Sequence, residues 1–92
     1  MKIYEKVNIE NDFRSLKIEL KNLCFKYPDN NEIKILLEEC LKVSSNKEKT
    51  VDEYHILDKW IGKVKEYIME NFNQSDLVVY WFENDIPVEM VE

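Results

Sequence analysis

The chain has 92 residues, of which 45% are hydrophobic and 35% are charged, and its formal net charge is −6. This length predicts a single domain over residues 1–92, and the eleven aromatic residues exclude the composition of a disordered chain. Because the sequence shows neither an export signal nor a long apolar run, we expect a cytoplasmic protein without a membrane span.

Residues 2–9 open the chain with a loose alternation of apolar and polar side chains, which predicts a short strand. Asn11 or Asp12 is expected to cap a first helix, which ends at Tyr27 because the residue before a proline disfavours helical geometry. The apolar stripe of this helix consists of Phe13, Leu16, Leu20, Leu23 and Tyr27.

Two further helices are indicated by capping-box spacings. Asp29 followed by Glu32 predicts the start of the second helix, and Thr50 followed by Glu53 predicts a third helix of about 22 residues. Gly62 lies opposite the buried stripe of the third helix, either as a tolerated surface residue or as a point of close approach. The predicted inner faces are Ile33, Leu36, Leu37, Cys40 and Leu41 in the second helix, and Tyr54, Leu57, Ile61, Val64, Ile68 and Phe72 in the third.

The C-terminal region reads as a β-hairpin, with β-prone residues 77–82 and 86–91 on either side of a polar turn. Pro87 marks the second strand as an edge strand. The expected fold class is therefore α+β, with a short N-terminal strand, three helices and a C-terminal hairpin in one layer packed on the helices. If residues 77–82 form a fourth helix instead, the fold is an all-α four-helix bundle, because a short apolar run does not separate the two structures.

The chain lacks the residue patterns that catalysis and metal binding require. His55 is the only histidine, and neither a second histidine nor a cysteine lies at ligand spacing from it. Cys24 and Cys40 are too few for a zinc site and are expected to be free thiols. We therefore expect no enzymatic activity, no cofactor and no metal.

Negative charge is concentrated at the C-terminal end. Residues 1–65 carry 13 bases and 12 acids, whereas residues 66–92 carry seven acids and no Lys or Arg. An acidic chain repels phosphates, so direct nucleic-acid binding is not expected. Carboxylates instead steer a basic protein partner towards the surface, where buried aromatic rings supply most of the binding energy.

The outward face of the predicted hairpin combines these two features. The predicted partner-binding residues are Tyr80, Phe82, Glu83, Asp85 and Glu89. They predict a non-enzymatic, acidic protein-binding module that inhibits or neutralises a partner with a basic surface, such as a nuclease. In size and charge the chain is similar to small immunity proteins, antitoxins and phage-encoded inhibitors, although it shares no motif with them. The alternative is a structural or regulatory subunit that homodimerises through the C-terminal hairpin.

Overall fold

The computed structural model describes residues 2–43 and 48–78, and this part of the chain is helical. Its elements are α1 (Ile3–Lys26), α2 (Asn31–Lys42), α3 (Val51–Asn71) and a short 3-10 helix (Gln74–Asp76). The described residues contain no β-strand, so the predicted α+β class is wrong, and the all-α alternative is closer. Of the predicted C-terminal hairpin, the second strand, the turn and most of the first strand lie outside the described residues.

The predicted N-terminal strand is the first part of α1. Ile9 is buried and continues the stripe of Phe13 with helical spacing, whereas Ile3 and Val7 are 80% and 50% exposed. The alternating apolar residues therefore do not form one buried face. The segment instead follows the 3.6-residue period of α1.

The helix begins well before the predicted caps at Asn11 and Asp12, which both lie inside α1. At its start the Glu5 carboxylate accepts a hydrogen bond from the backbone N–H of Lys2 at 3.3 Å. This bond satisfies a donor that would otherwise lack a partner at the helix N-terminus. The predicted end is confirmed, because Tyr27 follows the last helical residue.

The start of α2 differs from its prediction by one residue. Asn30 is the N-cap, and its side-chain oxygen accepts from the backbone N–H of Ile33 at 3.1 Å. Asn and Asp cap helices about equally well, so residue type alone does not distinguish Asn30 from the predicted Asp29. The expected inner face is correct for Ile33 and Cys40, but Leu41 is 55% exposed.

The start of α3 confirms the predicted capping box. The Thr50 hydroxyl accepts from the Glu53 backbone N–H at 3.2 Å, and the Glu53 carboxylate accepts from the Thr50 backbone N–H at 3.1 Å. The predicted buried stripe is also confirmed through Tyr54, Leu57, Ile61, Val64 and Ile68.

The central helix of the described fold is α1, because α2 and α3 each pack against it while their backbones make few contacts with each other. The helices α1 and α3 run parallel, because residues later in α1 contact residues later in α3. The Tyr54 hydroxyl donates to the Glu10 carboxylate at 2.9 Å, and the rings of Phe13 and Trp60 lie 6.4 Å apart further along.

Both cysteines are free thiols, as predicted. Cys40 is buried in the core, and Cys24 is partly buried beside it. Burial raises the pKa of both thiols, because the charged thiolate is disfavoured away from water. Neither cysteine therefore has the character of an activated nucleophile.

Gly62 is the subject of a first prediction. It is exposed within α3, and a Cβ atom at this position would meet nothing within 4 Å among the described residues. Gly62→Ala is therefore expected to raise the free energy of unfolding by about 0.5–1 kcal/mol, because alanine loses less backbone entropy in a helix. Urea unfolding followed by circular dichroism measures the change.

Gly62→Asn is the matched control, and a smaller gain is expected from it because asparagine has a weaker helix propensity. If Gly62→Ala destabilises the protein, another segment or a partner approaches this position closely.

Candidate functional site

The predicted partner-binding residues Tyr80, Phe82, Glu83, Asp85 and Glu89 lie outside the described residues. The assignment of a site to them remains a prediction. The structure does describe the residues immediately before them, which we call the stem (residues 73–78). It also describes a second candidate surface, the groove between α2 and α3.

The stem folds back onto the C-terminal half of α1. The backbone oxygen of Asp76 accepts hydrogen bonds from Asn22 Nδ2 at 3.0 Å and from Lys26 Nζ at 2.6 Å. The Asp76 carboxylate accepts from the Tyr27 hydroxyl at 2.8 Å, and this bond raises the pKa of the Tyr27 phenol. Two α1 side chains and that of Tyr27, which directly follows α1, thus hold a single residue of the stem.

A buried carboxylate completes this attachment. Glu19 is fully buried on α1, and its side chain accepts hydrogen bonds from Asn22 Nδ2 at 2.7 Å and from the Val78 backbone N–H at 3.0 Å. A carboxylate removed from water is costly unless its oxygens are hydrogen-bonded. Glu19 therefore fixes the backbone of the chain at the point where the acidic segment begins.

The sequence analysis did not single out Glu19. The available signal was its spacing, because Glu19 lies three residues after Leu16 and four before Leu23, next to the apolar stripe of α1. An acid beside a buried stripe indicates a partner, but that partner is 59 residues away and cannot be identified from spacing.

Apolar contacts support the same stem. The ring of Phe72 packs between Tyr27 and Tyr67, at centroid distances of 5.2 Å and 6.3 Å. Leu77 is 7% exposed and joins the helical core. The stem is thus held in two ways, by the buried side chain of Leu77 and by hydrogen bonds to α1.

The groove lies where α2 and α3 are joined by side chains instead of close backbone packing. Trp60 Nε1 donates to the Glu39 carboxylate at 3.2 Å, and the Tyr67 hydroxyl bonds to Glu32. The two bonds are seven residues, or about two turns, apart on each helix, so α2 and α3 run antiparallel.

Between and beside these two bonds the groove is apolar and open to water. Leu36 and Val64 are shared between the core and the groove wall, while Ile35 and Ile56 are 53% and 69% exposed. Exposed apolar side chains gathered in one place are typical of interaction surfaces. The lining is Glu32, Ile35, Leu36, Trp60, Lys63, Val64 and Tyr67 towards one end, and Glu39, Val43, Lys49, Glu53, Ile56, Leu57 and Trp60 towards the other.

Within residues 2–43 and 48–78 no three His, Cys, Asp or Glu side chains converge as a metal site would require. None of the helices in these ranges combines the length and the apolar character needed to cross a membrane. No protein-family model, curated protein or solved structure matches the chain. Support for a function therefore comes from the stem, the groove and the distribution of charge.

The attachment of the stem generates a second prediction. Glu19→Gln is expected to lower the free energy of unfolding by about 1–3 kcal/mol, because one amide oxygen replaces two carboxylate oxygens and the new NH₂ group faces hydrogen-bond donors. Urea unfolding measures the loss. Glu38→Gln, at an exposed position of α2, is the control and should change stability by less than about 0.5 kcal/mol. Equal stability of Glu19→Gln and the native chain would contradict the assigned role.

Tyr67 yields a third prediction, which concerns pH. Burial, followed by the adjacent Glu32 carboxylate, raises the pKa of its phenol. Because the pKa is higher in the folded than in the unfolded chain, the stabilisation is complete below about pH 10 and is lost as the pH rises through the folded pKa.

Absorbance at 295 nm should show a phenol that titrates above about pH 10 in the native chain and is missing from Tyr67→Phe. Glu32→Gln is expected to lower the pKa of Tyr67 only in part, because burial remains. A Tyr67 phenol that ionises below about pH 10 would contradict this account.

Proposed function

We propose that the chain is a non-enzymatic, acidic protein-binding module that neutralises a basic protein partner, as immunity proteins, antitoxins and phage-encoded inhibitors do. The observation that carries the proposal is the attachment of the stem to α1 through Glu19 and Asp76. This attachment ends at Val78, directly before the acidic residues 79–92.

The segment that follows the stem has the composition of a binding surface for a basic protein. Residues 79–92 contain three consecutive aromatic residues and four acids, and no Lys or Arg. Carboxylates raise the rate of encounter with a basic surface, and tyrosine and tryptophan are the side chains most often found at the energetic centre of interfaces.

The stem fixes the position of the backbone that leads into this segment, because it is attached to the folded helices. Association costs conformational entropy for every chain segment that becomes ordered on binding. Because the backbone N–H of Val78 already bonds to a buried carboxylate on α1, the residues up to this point need no further ordering. The arrangement therefore lowers the entropic cost of binding through the neighbouring residues.

The proposed mechanism is occlusion of a cationic cleft. A nuclease binds phosphates with a basic surface, and carboxylates placed at the same positions compete with the nucleic acid. Aromatic rings beside them exclude water and strengthen these charge interactions. The predicted residues Tyr80 and Phe82 act as the anchors, while Glu83, Asp85 and Glu89 supply the charge.

A fourth prediction tests the electrostatic part of this function. A basic protein retained by the chain from its source cells is identified by mass spectrometry and purified. Combined substitution of Glu83, Asp85 and Glu89 by lysine is then expected to slow association at least about tenfold at low salt, and the difference should shrink at 0.15 M salt or above. Stopped-flow fluorescence measures the association rate.

The matched control replaces Asp29, Glu66 and Glu70 by lysine, which changes the net charge equally at exposed positions outside the segment. A smaller effect is expected from this control. An unchanged association rate for the first variant, or an equal effect of both, would contradict binding through the C-terminal acids.

A further inference from the structure

We infer that residues 79–92 dock onto the outward face of α1 when no partner is bound. This face is the exposed side of the helix, and its central residues are Val7, Arg14, Ile18, Lys21 and Phe25. The docking is a contact within one chain and needs no partner, so it does not rest on the proposed function.

The outward face of α1 is basic. The exposed residues of Ile3–Lys26 include three bases, Arg14, Lys21 and Lys26, and none of the exposed residues is Asp or Glu. In the described part of the chain neither Arg14 nor Lys21 forms an ion pair. In a protein with a net charge of −6, this helix therefore presents a positive surface that the described residues leave without a counter-charge.

Acids at the edges of this face are already engaged by other side chains. Glu10 accepts from the Tyr54 hydroxyl at 2.9 Å and lies 3.7 Å from Lys49 Nζ, one turn before Arg14. At the opposite edge the Asp76 carboxylate accepts from the Tyr27 hydroxyl. These contacts hold both carboxylates away from the middle of the face.

The same face carries exposed apolar side chains. Val7, Ile18 and Phe25 are 50%, 51% and 87% exposed. They lie on one side of the helix because they are 11 and 7 residues apart, which is about three and two turns. Apolar side chains gathered on one exposed face are typical of a surface that another segment covers.

Residues 79–92 have the complementary composition. They contain four acids, no Lys or Arg, and eight hydrophobic residues among 14. An acidic segment is attracted by a basic surface and repelled by carboxylates. The groove between α2 and α3 is lined by three carboxylates against two lysines, Lys49 and Lys63. The outward face of α1 therefore suits this segment better than the groove does.

The stem leads the chain to this face. Its Asp76 backbone oxygen is held by Lys26 and its Val78 N–H by Glu19, so the stem runs towards the N-terminus of α1. Ile18 directly precedes Glu19 in the sequence and lies in the middle of the outward face. The segment after Val78 thus starts beside the apolar centre of the face.

The segment is long enough to cover the face. From the level of Glu19, Phe25 lies about 9 Å and Val7 about 18 Å away along the helix axis. Fourteen extended residues span up to about 46 Å. Every residue of the outward face is therefore within reach of residues 79–92.

The covalent connection favours this segment over one from a second copy. A segment joined to the stem has an effective concentration at the face on the order of millimolar, so an intrinsic dissociation constant in the millimolar range is sufficient for docking. A basic partner of the kind proposed above would compete with Arg14 and Lys21 for the same acids.

A fifth prediction tests the docking through Trp81, which is the only tryptophan in a Trp60→Phe chain. Acrylamide should quench its fluorescence less in buffer than in urea. Arg14→Glu with Lys21→Glu is expected to shift the equilibrium about tenfold towards the released segment, because each attraction becomes a repulsion. Quenching should then rise towards its value in urea, while circular dichroism establishes that the chain is folded.

Two further variants of the Trp60→Phe chain show whether the effect depends on the paired charges. Adding Glu83→Lys, Asp85→Lys and Glu89→Lys to the reversed α1 face should restore the protection of Trp81, since opposite charges meet again. The matched control is Lys59→Glu with Lys63→Glu, which makes the same change of charge at exposed positions of α3 and should leave quenching unchanged.

A measurement on the native chain keeps the test decisive if a variant fails to fold. Nuclear Overhauser contacts are expected between the methyl protons of Ile18 and the ring protons of residues 80–82. Their absence would overturn the proposal, and so would a Trp81 that is quenched equally in buffer and in urea. An equal effect of the control would place the segment at the groove, and protection lost on dilution would place it on a second copy; either result contradicts docking on α1 of the same chain.

Discussion

The apolar stripe of α1 is the constraint on which the rest of the described structure depends. Its leucines at positions 16, 20 and 23 are fully buried, and α2, α3 and the stem each cover a part of them. A single helix of this length buries its stripe only if several segments pack around it. Because α2 and α3 both pack against α1 and not closely against each other, an open groove remains between them on the side away from α1.

The stem follows from the same constraint. Leu77 adds one more buried side chain to the core, and the backbone beside it must then satisfy its hydrogen bonds away from water. Glu19 provides the acceptor for Val78, and Asn22 bonds to both the carboxylate and the stem. A buried polar network of this kind fixes one register of the chain, because a shift by one residue would leave several groups without partners.

Local signals in the sequence predicted the parts of the fold that local interactions determine. Thr50 and Glu53 satisfy each other's backbone donors within one turn, so their spacing was sufficient to locate the start of α3. Residues 2–9 were mistaken for a strand because their pattern is short and becomes helical only when read together with Phe13 and the residues beyond it. The all-α alternative stated for residues 77–82 identified the better class, although the described end of the chain at Leu77 is extended.

Long-range contacts account for what the sequence could not reveal. The contact between Glu19 and Val78 spans 59 residues, and the hydrogen bond between Trp60 and Glu39 spans 21. No spacing rule connects such positions, since the connection depends on how α2 and α3 are placed around α1. The groove could not be predicted for the same reason, because its lining comes from two helices that are joined by contacts distant in the sequence.

The helical body and the acidic segment thus have separate roles in this account. The body holds the backbone up to Val78 and has an open groove on a different surface, while residues 79–92 carry the acids and the aromatic residues. Both roles require α1 to stay folded whenever any other part of the protein opens.

Native-state hydrogen exchange tests that requirement most directly. The slowest amides are expected in α1 between Phe13 and Leu23, with exchange free energies equal to that of global unfolding, while α2 and the stem exchange through smaller openings. If the slowest amides lie in α3 while the α1 amides exchange through a partial opening, α1 is not the element around which the structure is organised.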